Sequence, residues 1–204
     1  MTNKADEHQR LILEQFTNQA VPFSQMQNHS PELLLTASGA GPQDTVLDVA
    51  CGPGLMACAF AKVARHVTGI DLTPAMIEQA KVMQQADGLT NLTWHVGDVQ
   101  PLPFADGSFS LVFTRYSFHH FLDPKTVLAE LVRVCSPGGR VVVVSDGNHF
   151  RNVTFARDKN QLGHDAGLLQ RGVEDARLRG QGGIIPLAIG NQERRRKAFD
   201  VIQR

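Results

Sequence analysis

The sequence predicts a doubly wound α/β domain with a mainly parallel sheet, and three observations carry that prediction. Short apolar runs alternate with helix-length amphipathic segments between residues 45 and 145. One run, Arg140-Val-Val-Val-Val-Ser145, is apolar throughout, as a strand buried on both faces must be, and strands separated by helices imply parallel crossovers. A glycine turn, Cys51-Gly-Pro-Gly54, leaves one such strand and opens a helix, which is where open α/β sheets receive a ligand.

Element by element, Leu11, Ile12, Phe16 and Ala20 fall at helical spacing, so Asp6–Gln19 reads as an amphipathic helix. Ser30-Pro-Glu supplies an N-cap serine and a proline at the first helical position, and Gly39 stops that second helix. Thr45–Ala50 is then a strand, Leu55–Ala64 an apolar helix and His66–Asp71 a second strand. Thr73-Pro-Ala-Met opens the next helix by the same cap logic, and Asp87-Gly88 ends it. Asn91–Val96 and Phe109–Thr114 are the third and fourth strands. Asp123-Pro-Lys caps a helix that runs to Cys135, and Pro137-Gly-Gly turns into the fifth strand. Beyond Ser145 the pattern fades: Thr154-Phe-Ala is short, Gly163–Gly183 is rich in Gly, Arg and Gln, and only Gln192–Ile202 has helical spacing. No sixth or seventh strand and no internal repeat are expected. The chain therefore divides into one domain, residues 1–146, and an atypical basic segment, residues 147–204.

Composition narrows the class. Of the 204 residues 42% are hydrophobic, yet no apolar run approaches the roughly 20 residues that cross a bilayer, so no membrane span is expected. The first ten residues are polar and mixed in sign, unlike a secretory signal, and a cytoplasmic location follows as an expectation. Cys51, Cys58 and Cys135 form no CxxC pair and have no histidine cluster nearby, which favours reduced, packed thiols over a disulfide framework or a metal site. Net charge is zero, but residues 1–146 carry 9 Lys+Arg against 14 Asp+Glu, while 147–204 carry 11 against 6. The basic tail lacks the interleaved aromatics that stack on bases, so a solvated or poorly ordered tail is the better reading and nucleic acid is not the expected partner.

Gly52-Pro-Gly54-Leu-Met-Ala57 satisfies the G-x-G-x-x-G/A dinucleotide pattern, which brings a nicotinamide cofactor into consideration. Asp48 stands four residues ahead of that turn. A fixed carboxylate there repels a pyrophosphate and attracts an ammonium or sulfonium group.

Four segments agree with one family in order and spacing: Val46-Leu-Asp-Val-Ala-Cys-Gly-Pro-Gly54, Gly69-Ile-Asp-Leu-Thr73, Gly97-Asp-Val-Gln-Pro-Leu-Pro-Phe104 and Arg133-Val-Cys-Ser-Pro-Gly-Gly139. On these the chain resembles the class I S-adenosylmethionine-dependent methyltransferases, of Rossmann-like fold, and within them the small-molecule group that includes the quinone-biosynthesis C-methyltransferases. The resemblance spans roughly Gln15 to Ser145. It implies S-adenosyl-L-methionine as cofactor and a small-molecule methyl acceptor as partner.

The resemblance also assigns roles. Asp48 would orient the methionine ammonium, with Gly52 and Gly54 leaving room for the cofactor against the backbone. Asp71 would accept both ribose hydroxyls, and Ala50 and Leu72 complete the cofactor-binding set. Asp98 would accept from the adenine amine while the Val99 N–H donates to a ring nitrogen, and Arg115 would reach the methionine carboxylate. Each has a plainer reading: Asp48 satisfying donors at the turn, the glycines serving packing alone, Asp71 leading into a helix, Asp98 capping the Pro101-Leu-Pro103 turn, Arg115 in a surface ion pair.

Methyl transfer from a sulfonium asks the protein chiefly for alignment and exclusion of water, so no nucleophile is assigned. In Tyr116-Ser-Phe-His-His-Phe121, either His119 or His120 is a candidate base, against a packing role for His120 ahead of the Asp123 cap. Phe118 and Phe121 read as pocket or core residues. Phe16–Phe23 stands where the family has an aromatic lid, so Phe23 either covers the methionine end or seals the core edge. Competing functions are an NAD-dependent oxidoreductase, a truncated paralogue that binds cofactor without turnover, and an RNA methyltransferase, which the acidic character of residues 1–146 opposes. The family normally adds a helix and antiparallel sixth and seventh strands after the fifth. Without them the fifth strand would present an unpaired apolar edge, answered by homodimerisation, tail docking or lower stability.

Overall fold

The computed structural model describes residues 4–24, 31–144 and 153–156. The chain forms α1 (Lys4–Ser24), α2 (Pro31–Ser38), β1 (Thr45–Val49), α3 (Leu55–Ala61), β2 (His66–Asp71), α4 (Pro74–Ala86), β3 (Leu92–Val96), β4 (Phe109–Arg115), a 3-10 turn (Phe118–His120), α5 (Pro124–Val134), β5 (Cys135–Val144) and β6 (Val153–Ala156). The sheet order is β3-β2-β1-β4-β5-β6. Strands β1 to β5 are parallel, and β6 runs antiparallel to β5. The doubly wound, mainly parallel α/β architecture is as the sequence predicts.

Period-two alternation decides which helix each strand residue meets. Leu47 and Val49 of β1, Val112 of β4 and Val141 and Val143 of β5 pack with Val127, Leu128, Leu131 and Val134 of α5. Their neighbours Val46, Leu111, Phe113, Val142 and Val144 turn to the other face, against Met56, Ala57 and Phe60 of α3. Phe60 and Phe113, both fully buried, meet edge to face with centroids 4.9 Å apart. A sheet covered on both faces explains why its strands read as unbroken apolar runs.

The strand order reverses between β1 and β4, whose registers pair Asp48 with Phe113 and Val49 with Thr114. The crevice outside the carboxyl ends of these two strands is the topological switch point of the fold.

Several sequence expectations are corrected. A sixth strand exists: Val153–Ala156 pairs along Val141–Val144, so the β5 edge is covered there. Its four residues, Val-Thr-Phe-Ala, are too short a run to stand out as a pattern. Strand β5 begins at Cys135, so Pro137-Gly-Gly lies inside it, at a register irregularity opposite Phe109–Leu111. Helix α1 extends to Ser24 with Pro22 inside it, and α3 closes at Ala61. The Thr73 hydroxyl makes no capping bond for α4; Asp71 Oδ1 accepts the Thr73 N–H instead. The Asp123 cap of α5 forms as expected, accepting from the N–H groups of Lys125 and Thr126. All three cysteines are free and buried. The Ser30 cap, Gly163–Gly183 and Gln192–Ile202 lie outside the described residues.

Candidate functional site

Asp48 occupies the next-to-last position of β1, on the α3 side of the sheet, and is 2% exposed. Its Oδ2 has no hydrogen-bond partner among the described residues. Burial raises its pKa to about 7, with the Arg115 guanidinium opposing the shift and Asp71 adding to it.

After β1 the backbone turns through three left-handed residues: Ala50 (φ 53°), Gly52 (φ 55°) and Gly54 (φ 84°). For Ala50 this conformation costs roughly 1–2 kcal/mol, a strain concentrated at the turn. The two glycines differ in function. A methyl group on Gly52 would meet nothing within 4 Å, whereas one on Gly54 would stand 2.8 Å from Ala80 Cβ and from Trp94 Cη2. Gly52 therefore leaves a bare backbone surface, and Gly54 lets the turn pack onto α4 and β3.

Asp71, at the end of β2, holds the turn from the other side. Its Oδ2 accepts the Gly52 N–H at 2.8 Å and its Oδ1 accepts the Thr73 N–H at 2.9 Å. Burial raises its pKa, and those two backbone bonds together with the Thr73 hydroxyl oppose the shift. The carboxylate lines the cavity and can accept from a ligand hydroxyl there. Past β3, Asp98 Oδ1 accepts the N–H groups of Val99 (2.6 Å) and Gln100 (3.3 Å), while Oδ2 accepts from Gln9 Nε2 of α1 at 2.7 Å. The Val99 N–H is thus engaged by its neighbouring carboxylate, which differs from the free ring-nitrogen donor that the family resemblance implies.

Arg115 closes β4. Its guanidinium lies 5.0 Å from the centroid of the Tyr116 ring, and Tyr116 itself takes a left-handed φ of 56°. Burial lowers the Arg115 pKa while Asp48 raises it. Across the crevice, α1 supplies Phe16, which meets Phe23 at 6.1 Å and the His120 ring edge to face at 4.9 Å. His8 Nε2 lies 2.8 Å from the His120 carbonyl oxygen. Because a carbonyl only accepts, the proton of that bond sits on Nε2.

These groups enclose a cavity of about 390 Å³, within the roughly 300–1,000 Å³ of small-ligand sites. Its wall brings together Asp48, Ala50, Gly52, Asp71, Leu72, Asp98, Val99 and Arg115, with Phe23, His120 and Phe121. Gly54, Phe118 and His119 do not line it. The wall also includes Ile12, read from the sequence only as part of an amphipathic face, and His8 and Gln9, which the sequence reading passes over. A signal was present: His8, Ile12 and Phe16 repeat every four residues and share one helix face. Among the described residues, no group of three or more His, Cys, Asp or Glu is arranged to hold a metal ion, and no helix is long and apolar enough to cross a membrane.

Residues 47–143 match the family described as the methyltransferase domain. The uncharacterised methyltransferase YcgJ of Bacillus subtilis is 33% identical over 112 residues, which make up 55% of this chain and 44% of that protein. Its crystal structure overlays with a TM-score of 0.56 at 30% identity, covering 71% of this chain and 58% of that one. Over that segment the chain is similar to methyltransferase domains, with the fold of solved members. Two named relatives are the malonyl-[acyl-carrier protein] O-methyltransferase of Erwinia billingiae, 38% identical over 48% of this chain and 37% of that protein, and the demethylmenaquinone methyltransferase of Renibacterium salmoninarum, 34% identical over 60% and 48%. The chain spans about half the length, or less, of the curated relatives it matches.

Proposed function

We propose that this protein transfers a methyl group from S-adenosyl-L-methionine to a small-molecule acceptor. The observation that carries the reading is the buried, unpartnered Oδ2 of Asp48 on the cavity wall beside the bare face of Gly52. A buried, ionised carboxylate oxygen without a partner is costly unless it takes up a proton or a cationic ligand meets it. A dinucleotide pyrophosphate brought to the same turn would add negative charge beside Asp48 and Asp71, which disfavours the oxidoreductase reading.

The residues present fit the cofactor along its length. Asp48 and Arg115 suit the ammonium and carboxylate of its methionine end, the Asp71 carboxylate suits ribose hydroxyls, and Asp98 Oδ2 suits the adenine amine. When bound, the cofactor supplies a methyl group already joined to its sulfonium leaving group. The chain's own part is to align that methyl and exclude water, and Ile12, Phe16 and Phe23 of α1 provide an apolar cover for it. Phe121 and Leu122 extend the same wall toward an apolar acceptor. Of the adjacent histidines, only His120 lines the cavity, so it is the one placed to take a proton from an acceptor that must lose one. The names of the two identified relatives, one a carrier-bound malonyl group and one a demethylmenaquinone, support a small-molecule acceptor over a nucleic acid.

Titration with S-adenosylmethionine and with NADH tests the cofactor. Saturable NADH binding without S-adenosylmethionine binding overturns the reading. Incubation with methyl-labelled cofactor and cell extract tests turnover: label transferred to an extract component supports it, and binding without transfer leaves a non-catalytic cofactor-binding protein.

A further inference from the structure

Helix α1 contributes more than an apolar cover, because one of its polar side chains reaches the far end of the site. Gln9 Nε2 donates to Asp98 Oδ2 at 2.7 Å, and all of the other bonds to Asp98 fall on Oδ1. The bond fixes which way the amide faces. A carboxylate only accepts, so the NH2 group turns to Asp98 and the carbonyl Oε1 is left over, with no hydrogen-bond partner among the described residues. Gln9, Asp98 and Val99 line the same stretch of the cavity. Two acceptor oxygens, Gln9 Oε1 and the remaining lone pair of Asp98 Oδ2, are thereby placed on neighbouring groups, and the nearest backbone donor, the Val99 N–H, is already taken.

From this we infer that Gln9 is a specificity-determining residue, which together with Asp98 reads the exocyclic amine of the cofactor's adenine; the inference rests on the cofactor assignment proposed above. A primary aromatic amine carries two hydrogens and suits two acceptors, one from each side chain. A base bearing only hydrogen at the same position offers no donor there and leaves both acceptors unpaired, a mismatch that discriminates strongly. The position of Gln9 is independently held. His8, one residue earlier, bonds to the His120 carbonyl, and Phe16, two turns later, packs on the His120 ring, so the helix is fixed against the 3-10 turn on either side of Gln9.

The test uses two ligands that differ only at that position, S-adenosylhomocysteine and its purine (nebularine) analogue with hydrogen in place of the amine, titrated calorimetrically against the full chain and its Gln9→Ala and Gln9→Glu variants. The expected result is a clear preference of the unaltered protein for the adenosine ligand, reduced about tenfold in Gln9→Ala. Gln9→Glu sets a second carboxylate against Asp98 and is expected to weaken both ligands. The ratio of the two affinities within one variant does not depend on how much of the sample is folded. An unchanged ratio in Gln9→Ala, whether both ligands weaken together or neither does, overturns the inference while leaving the cofactor assignment standing. Failure of the unaltered protein to bind S-adenosylhomocysteine at all overturns both.

Discussion

Trp94 fills the space that a side chain at Gly69 would need: a methyl group there would stand 2.4 Å from Trp94 Cζ3 and 2.5 Å from Cε3. The two residues face each other across the β2–β3 pair, in register. The same indole ring lies under Gly54, and its Nε1–H is held by Gln84 Oε1 of α4 at 2.6 Å. One tryptophan thus supports the glycine turn from below, tied to a helix that also borders the site.

Gly69→Ala is therefore expected to destabilise the fold by overpacking, on the order of 1–3 kcal/mol. Its φ is ordinary, so the effect is steric and depends on the ring. Combining it with Trp94→Phe should give less destabilisation than the sum of the two single changes, read by urea denaturation as a double-mutant cycle. Additive losses would mean that the ring does not set the limit.

Gly52→Ala should behave differently. Nothing stands within 4 Å of the new methyl, and only the left-handed φ of 55° is strained, a cost of roughly 1–2 kcal/mol. The methyl would cover backbone on the cavity wall, so affinity for S-adenosylhomocysteine should fall more than stability does. Equal affinity in the variant and the unaltered protein would remove Gly52 from the contact surface.

The contrast between these two glycines marks the limit of what the sequence makes legible. The glycine turn, the carboxylates at strand ends and the parallel order are all local signals, because a strand with its following turn is a contiguous segment. That Gly54 answers to Trp94, forty residues away, is a fact of packing that no motif carries. Gln9 and His8 are similar: their polar character reads as a solvated helix face until the helix is docked on the crevice. The sixth strand goes unseen for the same reason, since Val153–Ala156 is defined by pairing with β5 rather than by a pattern of its own.

Arg133 is a further point where long-range contacts shape the site. Its guanidinium donates to the carbonyls of Leu102 and Phe104 and bonds to Glu130 and Asp106, and Glu130 accepts the Leu102 N–H. These bonds brace the segment between β3 and β4 that carries Asp98. Arg133→Lys cannot reproduce the planar set of donors and should lower stability by about 1–3 kcal/mol. The bonds from Arg133 hold the Glu130 pKa below its ordinary 4.5. A lowered carboxylate pKa contributes stability above that value, lost as pH falls through the folded-state pKa. The difference between Arg133→Lys and the unaltered protein in thermal melts should therefore shrink below pH 4.5. A difference that stays constant down to pH 3 would contradict a role for the ionised pair.

Asp48 gives the opposite sign. Its ordinary pKa of 3.8 is raised to about 7 by burial, so its contribution to folding is fully present below pH 3.8 and is lost as pH rises toward 7. A cationic ligand reverses that preference, because it requires the ionised carboxylate. Binding must then expel a proton at any pH below the folded-state value. Affinity for S-adenosylhomocysteine, whose ammonium would face Asp48, should rise about tenfold per pH unit toward 7 and level off above it. Asp71, whose pKa burial also raises, titrates in the same direction, so the assignment needs a variant. Asp48→Asn removes the charge while keeping the shape, and should bind weakly at pH 8 with much of the slope gone. Calorimetric titrations from pH 5 to 8 decide it: a flat profile in the unaltered protein, or an unchanged slope in Asp48→Asn, would mean that Asp48 does not meet the cation.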